Sequence, residues 1–277
     1  MKKVCLALCL LCPASLVAAT TAYYRFENGA FLADSGDLGL NLSNGGIATE
    51  TALPASGNGS TFPNPVPVNG LSNGSAATIA NTAGNDILQA PNNALWNDTS
   101  FTIEAIVNVS TSTGLRSIAG QLGNTGGRRW LMVLQDNDLA ILMNGSSGAG
   151  GNTEAYFKPA DSAMLNLATN TDYYLGISVN LTAVDPAGRL TFYMQDLTNG
   201  GALITSSTNQ TVHTSLVGSS APFTIGSTGH DSSHFSGLID EVRFTDEVLG
   251  ASQLLVAPEP SALALSLLGL LGLRRCR

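Results

Sequence analysis

Cysteine is missing from the whole middle of this sequence. The four cysteines among the 277 residues all lie in the terminal segments: Cys5, Cys9, Cys12 and Cys276. The region between Thr20 and Ala257 therefore forms neither a disulfide nor a thiolate-bound metal site. A domain made from this region must obtain its stability from packing.

Positive charge is scarce as well. Charged residues make up 12% of the sequence, about half of the usual ~25%. Between residues 20 and 257, 7 Lys and Arg stand against 19 Asp and Glu, a net charge of −12. Such a region will not bind nucleic acid by neutralising phosphates. The hydrophobic fraction of 44% argues against a disordered chain, because disorder requires few apolar residues and high net charge.

The first 19 residues have the pattern of a secretory signal peptide. Two lysines precede an apolar run over residues 4–17, and small residues lead to Ala19. We expect cleavage between Ala19 and Thr20, and therefore export. A permanent membrane helix is the weaker alternative, because the run is shorter than the ~20 residues that a bilayer core requires.

The last 20 residues form a second terminal segment. Pro258, Glu259 and Pro260 precede an apolar stretch over 261–273, which ends at Arg274 and Arg275. Thirteen helical residues rise only ~20 Å, short of the ~30 Å hydrocarbon core. The segment resembles the PEP-CTERM sorting signal, in which these features occur in the same order. The resemblance implies transient membrane contact, processing by an exosortase-type membrane peptidase, and a Gram-negative host that makes exopolysaccharide. A weak tail anchor is the alternative.

Strand patterns dominate residues 20–257. Apolar residues alternate with mostly polar ones over 101–109, 173–181 and 190–194, which predicts strands with one face on a core and the other facing solvent. Turn residues at 135–138 and 185–188 predict hairpins, and one short helix is expected over 247–254. The pattern predicts an all-β fold, a two-sheet antiparallel jelly-roll sandwich.

Several strings within this region resemble LamG-like, concanavalin A-like domains. They include Tyr23–Glu27 with Asp34–Gly36, Asp98–Ala105, Phe223–Gly226 and Phe235–Phe244. The resemblance spans roughly residues 23–255 and implies a concanavalin A-like sandwich with carbohydrate binding as its commonest activity. The string Gly237–Arg243 is its most specific element.

Asp240 is the leading candidate for a metal ligand. Alternation in the last strand places Leu238, Asp240, Val242 and Phe244 on one face, which we expect to be the core face. An ionised carboxylate buried there needs hydrogen bonds, a cation or a metal. The family resemblance favours calcium, a metal that takes oxygen ligands, with co-ligands from a first-loop cluster that contains Asp34, Asp37 and Glu27. A hydrogen-bonded Asp without metal is the alternative.

Enzymatic chemistry has little support. Retaining glycosidases need two carboxylates about 5 Å apart, and the central strand carries Glu104 alone. His213, His230 and His234 are the possible bases for a Ser-His-Asp triad, but no Gly-x-Ser-x-Gly elbow precedes a helix. His230 and His234 without a further defined ligand are weak evidence for zinc, and solvent-exposed loop histidines are expected instead.

Sugar binding would need exposed aromatic rings. Tyr174 and Tyr193 fall on the polar faces of their strands and are possible stacking platforms, whereas Trp130 shares the apolar register and is expected in the core. The sequence does not place Trp96. We predict an exported, non-catalytic glycan-binding or adhesion module at the cell surface or in an exopolysaccharide matrix. A divergent glycan hydrolase and an inert matrix protein remain as alternatives.

Overall fold

A computed structural model describes residues 22–54, 60, 62–79, 88–111, 113–122, 127–147, 151–228 and 233–257. The predicted signal cleavage site at Ala19 and Thr20 lies outside the described residues, as does the whole predicted sorting segment over 258–277. Within the described ranges, no helix has the length and apolar character needed to cross a membrane.

The described chain is built from short antiparallel strands joined by turns. In chain order the strands are β1 Ala22–Tyr24, β2 Ser43–Asn44, β3 Ala48–Ala52, β4 Ser75–Ile79, β5 Leu88–Ala90, β6 Ser100–Val109, β7 Leu115–Gln121, β8 Trp130–Gln135, β9 Asp138–Ser146, β10 Thr153–Phe157, β11 Asp172–Asn180, β12 Leu190–Asp196, β13 Ile204–Ser206, β14 Ser215–Leu216, β15 Phe223–Ile225 and β16 Gly237–Thr245. Within the described residues, helical structure is limited to 3-10 turns at Ala94–Asn97, Ser162–Met164, Pro186–Arg189 and Ala251–Gln253.

The strands form two sheets. Sheet 1 has the order β13-β12-β11-β6-β16-β4-β3, and β1 also pairs with β16. Sheet 2 has the order β10-β9-β8-β7-β15-β5-β2, and β14 also pairs with β9. Consecutive strands form hairpins, as in β7-β8-β9-β10, while strands distant in the sequence also lie side by side, as in β6 beside β16. This mixture is the arrangement of a jelly-roll sandwich. The predicted all-β, two-sheet antiparallel fold is confirmed.

The main core lies between the inner faces of the sheets. Odd-numbered residues of β6, including Phe101 and Val107, point into it, as the alternation predicts. At its centre the Trp130 ring lies 4.7 Å from Phe101 and 5.8 Å from Phe244, measured between ring centroids. Trp130 is fully buried, so its predicted core position is confirmed, and Trp96 is buried as well. Large interlocking rings of this kind supply much of a cysteine-free domain's stability.

The outer face of sheet 1 is also buried, contrary to the prediction that it faces solvent. Leu249, Leu254 and Leu255, from the segment after β16, pack on this face together with Phe62 and Val66 from the loop before β4. We call these residues the cover. Because the cover excludes water, the even-numbered residues of β6 from Thr102 to Asn108 are as inaccessible as its odd-numbered ones, whereas Ser100 at the start of the strand is half-buried.

A β-bulge interrupts the last strand. The register of β16 against β6 shifts between Asp240 and Arg243, and Glu241 adopts a positive φ of 51°. On its other edge, β16 pairs with β4 before the bulge and with β1 after it. The extra residue therefore lies where the strand changes partners, a common position for a bulge.

The bulge overturns the predicted faces of β16. Ile239, Val242 and Phe244 point into the main core, whereas Leu238 belongs to the cluster under the cover. Asp240 is on the covered outer face with Leu238, because the inserted residue reverses the alternation after it. The prediction that placed Asp240 on the same face as Val242 and Phe244 is wrong.

The predicted turns are confirmed in detail. Gln135 pairs with Asp138 across a two-residue hairpin whose Asp136 and Asn137 both have positive φ, 51° and 71°, as a type I′ turn requires. Pro186–Arg189 forms the 3-10 turn between β11 and β12. The helix expected over 247–254 is shorter than predicted, with one 3-10 turn at Ala251–Gln253.

Candidate functional site

Glu104 is the centre of a buried polar network on the outer face of sheet 1. Its Oε2 accepts a hydrogen bond from Arg243 Nε at 2.7 Å, and its Oε1 accepts from the Tyr174 hydroxyl at 2.7 Å. The backbone N–H of Leu255, in the cover, donates to Oε1 at 2.8 Å. Burial by itself lowers the pKa of Arg243, but the Glu104 carboxylate more than offsets this and raises it. Glu104 has no exposed surface, so it cannot contact a bound substrate.

The same network fixes the cover to the sheet. Arg243 donates to the Gln253 carbonyl at 2.7 Å, and the Tyr193 hydroxyl donates to the Leu249 carbonyl at 3.1 Å. Tyr174 and Tyr193 are therefore buried beneath the cover. Their predicted role as exposed stacking platforms is wrong, because the polar tip of each ring bonds a group that the cover hides.

A second buried acidic group lies at the bulge. Asp240 Oδ2 accepts a hydrogen bond from Asn73 Nδ2 at 2.8 Å. The adjacent Glu241 accepts from the Tyr23 hydroxyl and forms an ion pair with Arg25, whose Nη2 lies 3.2 Å from Glu241 Oε1. Burial, and then the proximity of Glu241, raise the pKa of Asp240 well above its usual value, and burial also raises the pKa of Glu241. Among the described residues, Oδ1 of Asp240 and Oδ1 of Asn73 find no hydrogen-bond partner.

Asp34 organises the loop after β1. Its carboxylate accepts from three backbone N–H groups at 2.8–2.9 Å, those of Tyr23, Gly36 and Leu40. Donors of this kind satisfy an acceptor-only carboxylate without a cation. In the part of the chain that the structure describes, no group of three or more His, Cys, Asp and Glu could hold a metal ion. Calcium at Asp240 and Asp34 stays a prediction.

The two histidines in the described part of the chain are both buried. His213 is buried, and its ring lies edge-on to Phe157 with centroids 5.3 Å apart. Burial lowers the pKa of His213. His234 is buried too, so the expectation that it is exposed to solvent is wrong, and His230 lies outside the described residues.

An open pocket lies at the rim of the sandwich, where the edge strand β3 meets the loop after β1. We call it the rim pocket. Its volume is about 540 Å³, and it is lined by residues 29–33 with Asn41, Leu42 and Glu50. Glu50 pairs with Ala77, whose side chain joins the main core. Glu50 therefore points toward the space between the two sheets. Because β3 is an edge strand of sheet 1, the Glu50 carboxylate lies at the open margin of the sandwich.

The rim pocket combines an aromatic ring with accessible polar groups. The half-buried Phe31 ring lies 5.5 Å from Phe26, between centroids, and packs on the edge of the core. Asn41 Oδ1 accepts from the Asp34 N–H at 3.0 Å, so its Nδ2 is the end that remains for a ligand. Glu50 is exposed. No motif in the sequence indicates this site, because Phe31, Asn41 and Glu50 share no spacing and the path of the folded chain brings them together.

Comparison with known families identifies the superfamily. A laminin G-type family model, described as the concanavalin A-like lectin/glucanases superfamily, matches residues 82–255, more than half of the chain. The chain belongs to this superfamily. The match includes the string Gly237–Arg243 but not the resemblance at residues 23–36. No curated protein matches the chain in sequence.

Two solved structures resemble the chain at low sequence identity. Domain 4 of AbnA, a GH43 extracellular arabinanase from Geobacillus stearothermophilus solved with arabinotriose, has 18% identity and a TM-score of 0.50, with 86% of this chain and 97% of that chain covered. The binding domain of Paraclostridial Mosquitocidal Protein 1 has 12% identity and a TM-score of 0.54, with 86% and 51% covered. This chain thus spans about half of the latter. Both similarities concern the fold.

Proposed function

We propose that this protein is an exported, non-catalytic glycan-binding module of the cell surface or of an exopolysaccharide matrix. Membership of the lectin/glucanase superfamily supports carbohydrate as the ligand class. Domain 4 of AbnA was solved with arabinotriose, which is consistent with binding by a similar sandwich. The complete burial of Glu104 is the observation that favours a binding function over hydrolysis.

The geometry around Glu104 does not suit hydrolysis. A retaining glycosidase needs an acid and a nucleophile about 5 Å apart, and both must reach the sugar. Glu104 instead holds Arg243, Tyr174 and the cover, and it is fully buried. A group in this position stabilises the fold and does not donate a proton to a substrate.

Incubation with polysaccharides tests the proposal. We expect the purified protein to be retained on at least one insoluble or immobilised polysaccharide while the chain length of that polysaccharide stays constant. Release of reducing ends by the purified protein would establish the hydrolase alternative. Retention on no glycan would favour an inert matrix role.

Export and sorting are part of the same proposal. The pattern of residues 1–19 supports secretion, and the Pro258, Glu259, Pro260 motif with Arg274 and Arg275 supports transient recognition by an exosortase-type peptidase in a Gram-negative bacterium. A bound calcium ion near Asp240 would add stability, and a melting temperature equal in excess calcium and in chelator would contradict it.

A further inference from the structure

We propose that the rim pocket binds a neutral sugar unit through two adjacent hydroxyl groups. In this assignment the Glu50 carboxylate accepts hydrogen bonds from the hydroxyls, Asn41 Nδ2 donates to a sugar oxygen, and Phe31 contacts the apolar face of the ring. The assignment rests on the proposed glycan-binding function and adds the site and the class of sugar.

The chemistry of the pocket matches a sugar ring. A sugar presents C–H groups on one face and hydroxyl groups around its rim, so it needs an apolar surface beside polar groups. The rim pocket offers the half-buried Phe31 ring together with one acceptor-only carboxylate and one amide donor. A carboxylate has two oxygens that can each accept from a neighbouring hydroxyl. The volume of about 540 Å³ lies within the ~300–1,000 Å³ of small-molecule sites.

The charge of the pocket selects against acidic sugars. None of the residues that line it is basic, and residues 20–257 carry a formal charge of −12. A uronic or sialic acid would place its carboxylate near Glu50 without a compensating cation. Because two carboxylates that face each other repel, we expect neutral sugars to bind better than acidic sugars of the same size.

The pocket is already organised for binding. Two consecutive turns order its loop, in which Ala30 N–H donates to the Glu27 carbonyl and Ala33 N–H to the Ala30 carbonyl, both at 2.9 Å. Leu42 N–H donates to the Leu32 carbonyl at 2.8 Å. A site that is ordered in advance loses less conformational entropy when the ligand binds.

Titration of the full chain with trisaccharides tests the assignment, with neutral pentose and hexose trisaccharides compared with galacturonate trisaccharides. We expect Glu50→Gln to weaken binding of the neutral sugars about tenfold or more, because a charge-assisted hydrogen bond is lost. Asn41→Asp should have a similar effect, since it keeps an oxygen that can accept from the Asp34 N–H but replaces the donor with a charged acceptor. Glu154→Gln, an exposed edge-strand glutamate of sheet 2, is the matched control and should leave affinity unchanged.

The possible results separate the two proposals. Melting temperatures close to that of the unaltered protein verify that the Glu50 and Asn41 variants are folded, and Phe31→Ala then tests the apolar contact. If the protein binds a neutral glycan with the same affinity in all three pocket variants, the rim pocket is not the site, although the glycan-binding function stands. Tighter binding of galacturonate than of neutral sugars would overturn the proposed selectivity. No binding to any sugar or polysaccharide would overturn the glycan-binding function itself.

Discussion

At the scale of single residues, Glu104 shows how one carboxylate can serve the whole fold. It neutralises the buried Arg243 and accepts the Leu255 N–H, so it joins the central strand, the last strand and the cover. Glu104→Gln leaves the buried Arg243 charge without a carboxylate to balance it, and we expect a loss of about 3–5 kcal/mol in the free energy of unfolding. Urea denaturation measures this, with exposed Glu154→Gln as the control, which should change stability by less than about 0.5 kcal/mol.

His213 gives a residue-scale prediction for pH. Burial lowers its pKa, so the unfolded chain binds a proton more readily than the folded one. Its contribution to stability is therefore complete above the unfolded pKa of about 6.5 and is lost as the pH falls through and below that value. His213→Leu should make the urea midpoint less dependent on pH between about 7.5 and 5.5. An identical pH dependence in the variant would contradict this account.

The sequence pattern identified Glu104 as a lone strand carboxylate but could not reveal its role. Its partner Arg243 is 139 residues away, and that pairing depends on strand order and on the bulge. The rim pocket was missed for a related reason, since Phe31, Asn41 and Glu50 have no shared spacing. Alternation indicates which face of a sheet a side chain is on, but it carries no information about which residues of other strands lie next to it.

At the scale of elements, alternation alone gives a wrong prediction for the outer face of sheet 1, which the cover buries. The pattern correctly predicted the inner faces of β6, β11 and β12, because one buried face is enough to produce a period of two. It assigned the outer face to solvent because polar Thr102, Glu104 and Asn108 are found there. These residues are buried instead, and hydrogen bonds beneath the cover compensate for their loss of water.

The cover should contribute strongly to stability even though it contains little regular structure. Leu254 is fully buried in it, whereas the neighbouring Val256 is only partly buried. We expect Leu254→Ala to cost about 2–5 kcal/mol of unfolding free energy and Val256→Ala clearly less. Comparison of urea midpoints decides the matter, and equal losses from the two substitutions would show that the cover packs loosely.

At the scale of the whole molecule, the first and last described residues are buried and lie next to the predicted processing sites. Ala22 is fully buried and pairs with Phe244 only two residues after Thr20. Ala257, the residue before Pro258, is buried and donates its N–H to the Leu254 carbonyl at 2.8 Å. Removal of residues 1–19 and of the segment from Pro258 onward would therefore leave every described contact in place.

This arrangement predicts the form of the protein at its destination. We expect mass spectrometry of the surface-located or matrix-located protein to find Thr20 as the first residue and a C-terminus near residues 258–260, without Arg274 and Arg275. A chain ending at Ala257 should also keep the urea midpoint of the full chain, because the cover and Glu104 network remain complete. An intact Arg277 on the exported form would exclude C-terminal processing, and a lowered midpoint would show that the terminal segment is part of the folded domain.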